Sequence, residues 1–276
     1  MRLPASVRRV GRQALSKAPL LDGLLRRFVW SRIHFPDAEM RYLNSIEPGS
    51  VDVAVDVGAA MGSYTWILSR VAKHVYAFEP GVVHSEYLGR LTSYSNIDVI
   101  RAAVGSTHRR VTLFTPGADA DALHAATVSQ ANPVVKQKDA CSRDVEQVSL
   151  DGFLAERLQP GRAVDILKVD VEGYELEVLK GSIGLLSMHR PLTICEIEAR
   201  HNPSYTEVFG LLSGLGYRCY ILRSGSFRVF SGERIEDLQQ ERDLATRMSR
   251  NYDLDADPYI NNFVFEHPRS RIRITE

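Results

Sequence analysis

Cysteine and tryptophan are scarce in this chain, three of one and two of the other among 276 residues. Cys141, Cys195 and Cys219 are odd in number and none stands close to another, which argues against a disulfide framework and against a zinc site. Net charge is also missing: Lys plus Arg and Asp plus Glu number 34 each, so no overall field draws in nucleic acid. No long apolar run is present, because the longest near the start is broken by Asp22, Arg26 and Arg27. Neither a secretory leader nor a membrane span is expected, and a reducing, cytoplasmic setting fits best. There is no internal repeat.

What is present is an ordinary globular composition, 44% hydrophobic and 25% charged, in a chain long enough for one large α/β domain with additions. Charge is distributed unevenly. Residues 1–35 carry Arg2, Arg8, Arg9, Arg12, Lys17, Arg26, Arg27 and Arg32 against the single acid Asp22. Between them Val7, Val10, Ala14, Leu15, Leu21, Leu24, Leu25 and Phe28 recur at near-helical spacing, and Pro19 divides the stretch into two helices. The expected organisation is a basic amphipathic arm over 1–46 and one domain over 47–276. The arm is expected to pack on its own domain or to make a homodimer. Peripheral contact with the inner face of an anionic membrane is the alternative.

The most informative stretch is VDVAVDVGAAMG, Val51 to Gly62. A β-branched run stops at Gly58, and from Gly62 a helical pattern begins with Tyr64, Trp66, Ile67, Leu68 and Val71. Such a strand–turn–helix unit brings bare backbone N–H groups and a helix start up to a ligand, with Asp56 just before the turn. Alternation continues: helix 63–72, strand 74–79, helix 82–93, strand 97–104 and an added strand 111–115. Residues 116–144 are irregular. There follow a short strand 147–150, a helix from a cap at Asp151 to Leu158, strand 164–169, one helix 174–188, strand 192–197, helix 205–214 capped by Ser204, and strand 217–223. A hairpin strand 226–230, an exposed charged helix 234–250 and a last strand 259–265 complete the reading. Five strand–helix units followed by a strand pair predict a mostly parallel, seven-stranded Rossmann-like α/β sheet.

The turn discriminates between nucleotides. A dinucleotide fingerprint wants glycine-like residues at its first, third and sixth positions, here Gly58, Ala60 and Ser63. The S-adenosylmethionine turn spaces small residues every second position, here Gly58, Ala60 and Gly62, with an acid two residues earlier, and this fits better. Glu79, 21 residues after Gly58, is placed to accept both ribose hydroxyls. A third signal is the run Lys168-Val-Asp170-Val-Glu172-Gly173-Tyr-Glu175 at the carboxyl end of a strand, joined by Glu196, Glu198 and His201 after the next. Glu175 is expected to cap or pair on its helix, near Lys180, rather than to act on a substrate.

Several blocks resemble the FkbM-family methyltransferases: DVGAAMGSYT (Asp56 to Thr65), AFEP (Ala77 to Pro80), NIDVIRAAVGS (Asn96 to Ser106), VSLDGFL (Val148 to Leu154) and, most specifically, ILKVDVEGYELEVLKG (Ile166 to Gly181). Thr127 and Ser129 are similar to a hydroxyl-rich patch of that family. The family usually has Asn where this chain has Ala60. The resemblance implies a class I methyltransferase fold and methylation of an alcohol oxygen by S-adenosylmethionine, on acceptors from macrolides to sugars of glycans and glycolipids. It places Asp56, Gly58, Ala60, Gly62, Thr65, Glu79, Ala103 and Asp170 around the cofactor. Asp170, Glu172, Glu198 and His201 are the candidates for proton removal or acceptor binding. Mg²⁺ would also suit an oxygen-rich cluster, but no ligand-spacing motif supports it. Two other classes compete: an NAD-linked oxidoreductase, disfavoured by Ser63 and by the lack of a Tyr-x-x-x-Lys pair, and a module that binds without turnover.

Overall fold

The computed structural model describes residues 38–92, 96–117, 126–223, 225–231, 234–240, 243 and 259–274. The basic arm before residue 38 lies outside them, as does the charged stretch 244–258. Helix α1 (Ala38–Ser45) leads into β1 (Val51–Val57), α2 (Ser63–Val71), β2 (Ala72–Phe78), α3 (Val82–Thr92) and β3 (Ile97–Ile100). Three short-range strands follow: β4 (Ala103–Val104), β5 (Arg109–Thr115) and β6 (Cys141–Val148). The chain then resumes with α4 (Leu150–Arg157), β7 (Val164–Val169), α5 (Glu175–Lys180), α6 (Ile183–Met188), β8 (Leu192–Glu196), α7 (Tyr205–Gly214), β9 (Arg218–Arg223), β10 (Ser226–Val229), α8 (Ile235–Leu238) and β11 (Asn262–Glu266).

The main sheet has eight strands in the order β10-β9-β11-β8-β7-β1-β2-β3. From β3 to β8 the pairing is parallel. β11 enters antiparallel between β8 and β9. The sheet exceeds the seven-stranded expectation by β10, which closes a hairpin on β9. Every residue of β1 and β7 is buried, because helices and loops cover both faces. Val53, Val55, Tyr76, Phe78, Leu167 and Val169 join one apolar cluster, while Ala54, Val75, Ala77 and Ile166 join another with Met40, Leu43, Ile67 and Leu68. Each buried Val, Leu, Ile, Phe or Met side chain among them contributes about 1.5–3 kcal/mol of transfer free energy. This rigid centre fixes the strand ends that carry the polar residues.

The structure corrects five local expectations. Strand 97–104 is two strands, for after Ile100 the chain leaves the main sheet and β4 joins β6 and β5 in a separate three-stranded sheet. Strand β6 begins at Cys141, inside the stretch expected to be irregular. Helix 174–188 is broken at Gly181-Ser182, where Gly105 O comes so close that a Cβ on Gly181 would lie 2.0 Å from it. Asp151 does not cap its own helix: Ser149 does, accepting from Gly152 N at 3.2 Å. The Asp151 carboxylate instead accepts from Gly184 N and Leu185 N, both at 2.8 Å, and so caps α6. Of the expected exposed helix 234–250, residues 234–240 and 243 are described; they include the short α8, which buries Ile235 and Leu238.

Candidate active site

The turn after β1 shows why small residues recur at every second position. Gly58, Ala60 and Gly62 have φ of 81°, 44° and 88°, all left-handed. The spacing is therefore a backbone requirement, met without cost by glycine and less well by a residue with a Cβ. Ala60 is the strained member, and asparagine tolerates this region better than alanine. Replacing Ala60 with Asn is expected to stabilise the protein by about 0.5–1 kcal/mol, seen as a higher denaturation midpoint. Gly58 meets a second demand. Asp170 N donates to Val57 O at 2.9 Å, which draws the end of β7 against the turn, and Gly58 N and Ala59 N both donate to Phe78 O at 3.0 Å.

Glu79 stands immediately after β2, buried, with one carboxylate oxygen accepting from Ala60 N (2.9 Å) and the other from Gly81 N (2.6 Å). Burial pushes its pKa up to about 7, against the pull of these two backbone donors. Asp56 is buried behind the turn and accepts from Thr65 Oγ1 at 2.5 Å, and burial raises its pKa to about 6. Asp56, Gly62 and Thr65 therefore shape the turn from the helix side and do not line the cavity described below.

At the end of β7 a lysine lies fully buried. Lys168 Nζ is 3.6 Å from Asp170 Oδ2, 3.2 Å from Asn262 Oδ1 and 4.7 Å over the centre of the Tyr64 ring. Asp170 also faces Glu196 within hydrogen-bonding reach. Burial, with Asp170 beside it, raises the Glu196 pKa well above the ordinary carboxylate range. Asn261 Nδ2 donates to Glu196 at 2.5 Å. Glu196 thus keeps its proton to a higher pH than an ordinary carboxyl, beside Asp170 and a buried cation.

Beyond Asp170 the backbone turns sharply through Glu172 (φ 50°) and Gly173 (φ 91°). The conformation is held from both sides: Glu172 O accepts from Thr127 Oγ1 (2.9 Å) and Asn132 Nδ2 (2.8 Å). Gly173 N donates to Glu175 (2.8 Å), which also accepts from Asn202 Nδ2 (2.5 Å). Glu175 is therefore a buried brace of this loop, and Lys180 pairs with Glu177 at 2.8 Å instead. A Cβ on Gly173 would lie 2.4 Å from His201 O, so the loop after β8 packs against this turn. That contact leaves His201 Nδ1 2.7 Å from Glu172 and 3.5 Å from Glu198, whose carboxylate Arg200 also binds.

A cavity of about 270 Å³ opens at these strand ends. Gly58, Ala60, Glu79, Ala103, Asp170 and Glu172 line it, together with Glu196 and the apolar Phe78, Val104 and Leu113. Glu198 and His201 lie beside it without forming its wall. The sequence names Lys168 only as the first residue of its acidic run, with no role, and gives no sign of Asn132, Asn202, Asn261 and Asn262, which lie outside any motif. A larger cleft of about 920 Å³ opens by α4 and the starting residues of β2. Its charges are largely matched in pairs, Arg162 with Asp52, His74 with Asp98 and His108 with Glu146. It reaches the end of β3 at Val99 and Ile100, but neither the turn after β1 nor the acids after β2, β7 and β8 line it. Among the described residues no group of three or more His, Cys, Asp or Glu is placed to hold a metal ion, and no helix is long and apolar enough to cross a membrane.

A parallel five-strand core with its antiparallel strand inserted beside β8, and a polar cavity at the strand ends, define a Rossmann-like class I methyltransferase fold. The chain belongs to the FkbM methyltransferase family: the model of the methyltransferase FkbM domain matches residues 56–219. It is similar in structure to the methyltransferase FkbM from Methylobacillus flagellatus KT, at 16% identity and a TM-score of 0.47, over 80% of this chain and 45% of that one. The chain thus spans under half of that protein's length. It is also similar to an O-methyltransferase from Bacillus cereus solved with SAH, at 10% identity and a TM-score of 0.44, over 92% and 94% of the two chains. No curated protein matches the sequence.

Proposed function

We propose that this protein transfers a methyl group from S-adenosylmethionine to a hydroxyl, in the first place of a sugar in a cell-surface glycan or glycolipid, with a polyketide-type alcohol as the second acceptor class. The observation that carries this is the meeting, in one cavity, of Glu79, the bare backbone of Gly58 to Ala60 and the Asp170–Glu196 pair. The residues fit the cofactor's parts. The buried Glu79 carboxylate suits ribose hydroxyls, Phe78, Val104 and Leu113 suit a flat base, and the acidic wall suits a sulfonium. When bound, the cofactor supplies an electrophilic methyl, so the chain's own task is chiefly positioning and proton removal. Asp170, 3.6 Å from Lys168 Nζ, receives the acceptor hydroxyl's proton, and Glu196 hydrogen-bonds to it and keeps it oriented. The Glu172–His201 pair beside the cavity holds neighbouring acceptor hydroxyls.

Isothermal titration with S-adenosylmethionine tests the cofactor, and binding of a nicotinamide cofactor in its place would overturn the reading. Labelled S-adenosylmethionine incubated with fractionated cell-surface material, followed by mass analysis, tests the acceptor. Cofactor affinity without transfer to any glycan or lipid fraction would leave a binding module.

Glu79 makes the cofactor reading pH-dependent. Its ionised form accepts hydroxyl donors, so cofactor affinity is expected to climb as pH rises through about 7 and then level off. Stability of the unliganded protein moves the other way. The folded-state pKa lies above the unfolded value, so the proton-linked stabilisation is complete below the ordinary glutamate value of 4.5 and is lost as pH rises through about 7. Asp56, raised to about 6, and Glu175, raised to about 7, act in the same sense. Melting curves from pH 5 to 8 check this, and a midpoint rising over that range contradicts it. Glu79→Gln places an amide N–H₂ opposite a backbone N–H, Ala60 or Gly81, and is expected to weaken cofactor binding about 10- to 100-fold.

A further inference from the structure

A second cavity, about 690 Å³, opens beside the first. Tyr174 and Val128 line both, so the two are adjoining chambers with Tyr174 in the shared wall. Arg109 Nη2 donates to the Tyr174 hydroxyl at 3.3 Å, and that hydroxyl donates to Gln147 at 3.1 Å. Strand β5 runs through both chambers: Leu113 lines the inner one, Arg109 and Arg110 the outer. Four residues of strand put Arg109 about 13 Å from Leu113, and three put Arg110 about 10 Å from it.

Charge changes sign along this path. Glu79, Asp170, Glu172 and Glu196 line the inner chamber without a basic residue among its walls. The outer chamber has Arg109, Arg110 and Lys180 against Glu177 and Glu207. Lys180 and Ser106 already occupy Glu177, at 2.8 and 2.6 Å. Among the described residues neither Arg109 nor Arg110 has a carboxylate within ion-pairing distance. A guanidinium with free donors at a cavity wall is suited to bidentate binding of an oxyanion.

We propose that the outer chamber binds an anionic group of the acceptor, a phosphate, sulfate ester or carboxylate, on Arg109 and Arg110, while the hydroxyl to be methylated enters the acidic inner chamber. This rests on the methyl-transfer reading and adds a substrate class to it. The inner acids repel the anion and the outer arginines hold it, so the charge pattern itself sets which end of the acceptor enters.

The test uses the full chain saturated with S-adenosylhomocysteine, titrated with maltose, maltose 1-phosphate and a disaccharide ending in a hexuronate, with affinity read by saturation-transfer NMR. At low salt the charged probes are expected to bind about tenfold or more tightly than maltose, an advantage worth one charge-assisted hydrogen bond. That advantage is expected to vanish in the Arg109→Gln/Arg110→Gln double variant and to persist in part in Arg110→Lys. Inorganic phosphate as a competitor separates a phosphate preference from a carboxylate one. Equal binding of charged and neutral probes by the unsubstituted protein overturns the proposal, as does an advantage that survives in the double variant. Failure to bind S-adenosylhomocysteine at all sinks the methyl-transfer reading instead, so the two failures are distinct.

Discussion

Gly58→Ala is expected to cost more than about 4 kcal/mol and to abolish cofactor binding, which places it among the rare, diagnostic substitutions. Two effects add at this position. The φ of 81° is unfavourable for any residue with a Cβ. The added carbon would also lie 1.7 Å from Asp170 O and 2.8 Å from Asp170 C, both backbone atoms that cannot swing aside. Relief requires separating β1 from the end of β7, where Val57 pairs with Val169 and Asp170 N donates to Val57 O. Those are the same strand ends that bring Asp170 and Glu79 into one cavity, so stability and site are lost together. Gly49→Ala is the matched control. Gly49 has nearly the same φ, 78°, but nothing within 4 Å of its missing Cβ, so only the conformational cost of about 1–2 kcal/mol applies. Urea denaturation of both variants decides the point. If Gly58→Ala loses no more than Gly49→Ala, close approach of the two strands is not what the glycine serves.

The elements legible in the sequence were those whose periodicity burial imposes. β1, β2, β7 and β8 are covered on both faces, so their apolar runs stood out and their boundaries fell within two residues. Strand β6 was hidden for the opposite reason. In CSRDVEQV only Val145 and Gln147 are buried, and the other positions face outward or lie near the rim, so the period-two pattern has too few apolar residues to register. The break in helix 174–188 falls at Gly181, where the backbone of Gly105, far away in sequence, packs too close for a Cβ. Candidate site residues were legible where a backbone need writes itself into composition, as with the left-handed Gly58, Ala60 and Gly62, or where an acid follows a strand, as with Glu79 and Asp170. The asparagines that brace the loops left no such mark, since a single Asn in a polar stretch is equally suited to solvent. Lys168 belongs to a legible motif, yet its burial beside Asp170 depends on Tyr64 and Asn262 arriving from two distant segments.

Asp170→Asn is expected to lower kcat by about 10²- to 10⁴-fold, the range for loss of a positioned proton acceptor, while cofactor affinity falls by less. The substitution preserves size and the Asp170 N to Val57 O hydrogen bond, so the strand junction survives. What it removes is the negative charge 3.6 Å from Lys168 Nζ and facing Glu196. Burial still raises the Glu196 pKa in the variant, but the further repulsion from Asp170 disappears, while the attraction of Lys168 remains. Glu196 is therefore expected to ionise at lower pH in the variant. Residual activity should then follow the titration of one carboxyl, and the variant's rate profile should rise at lower pH than that of the unsubstituted protein. The reciprocal change, Glu196→Gln, keeps a hydrogen-bond donor toward Asp170 and leaves its charge in place, so its kcat should fall far less. Equal losses from the two substitutions, with unchanged pH profiles, would assign the pair to the architecture of the strand ends and leave the acceptor's proton to the Glu172–His201 pair. Single-turnover rates across pH 5 to 9, measured with saturating cofactor, separate these outcomes, because binding effects then drop out and only the transfer step is read.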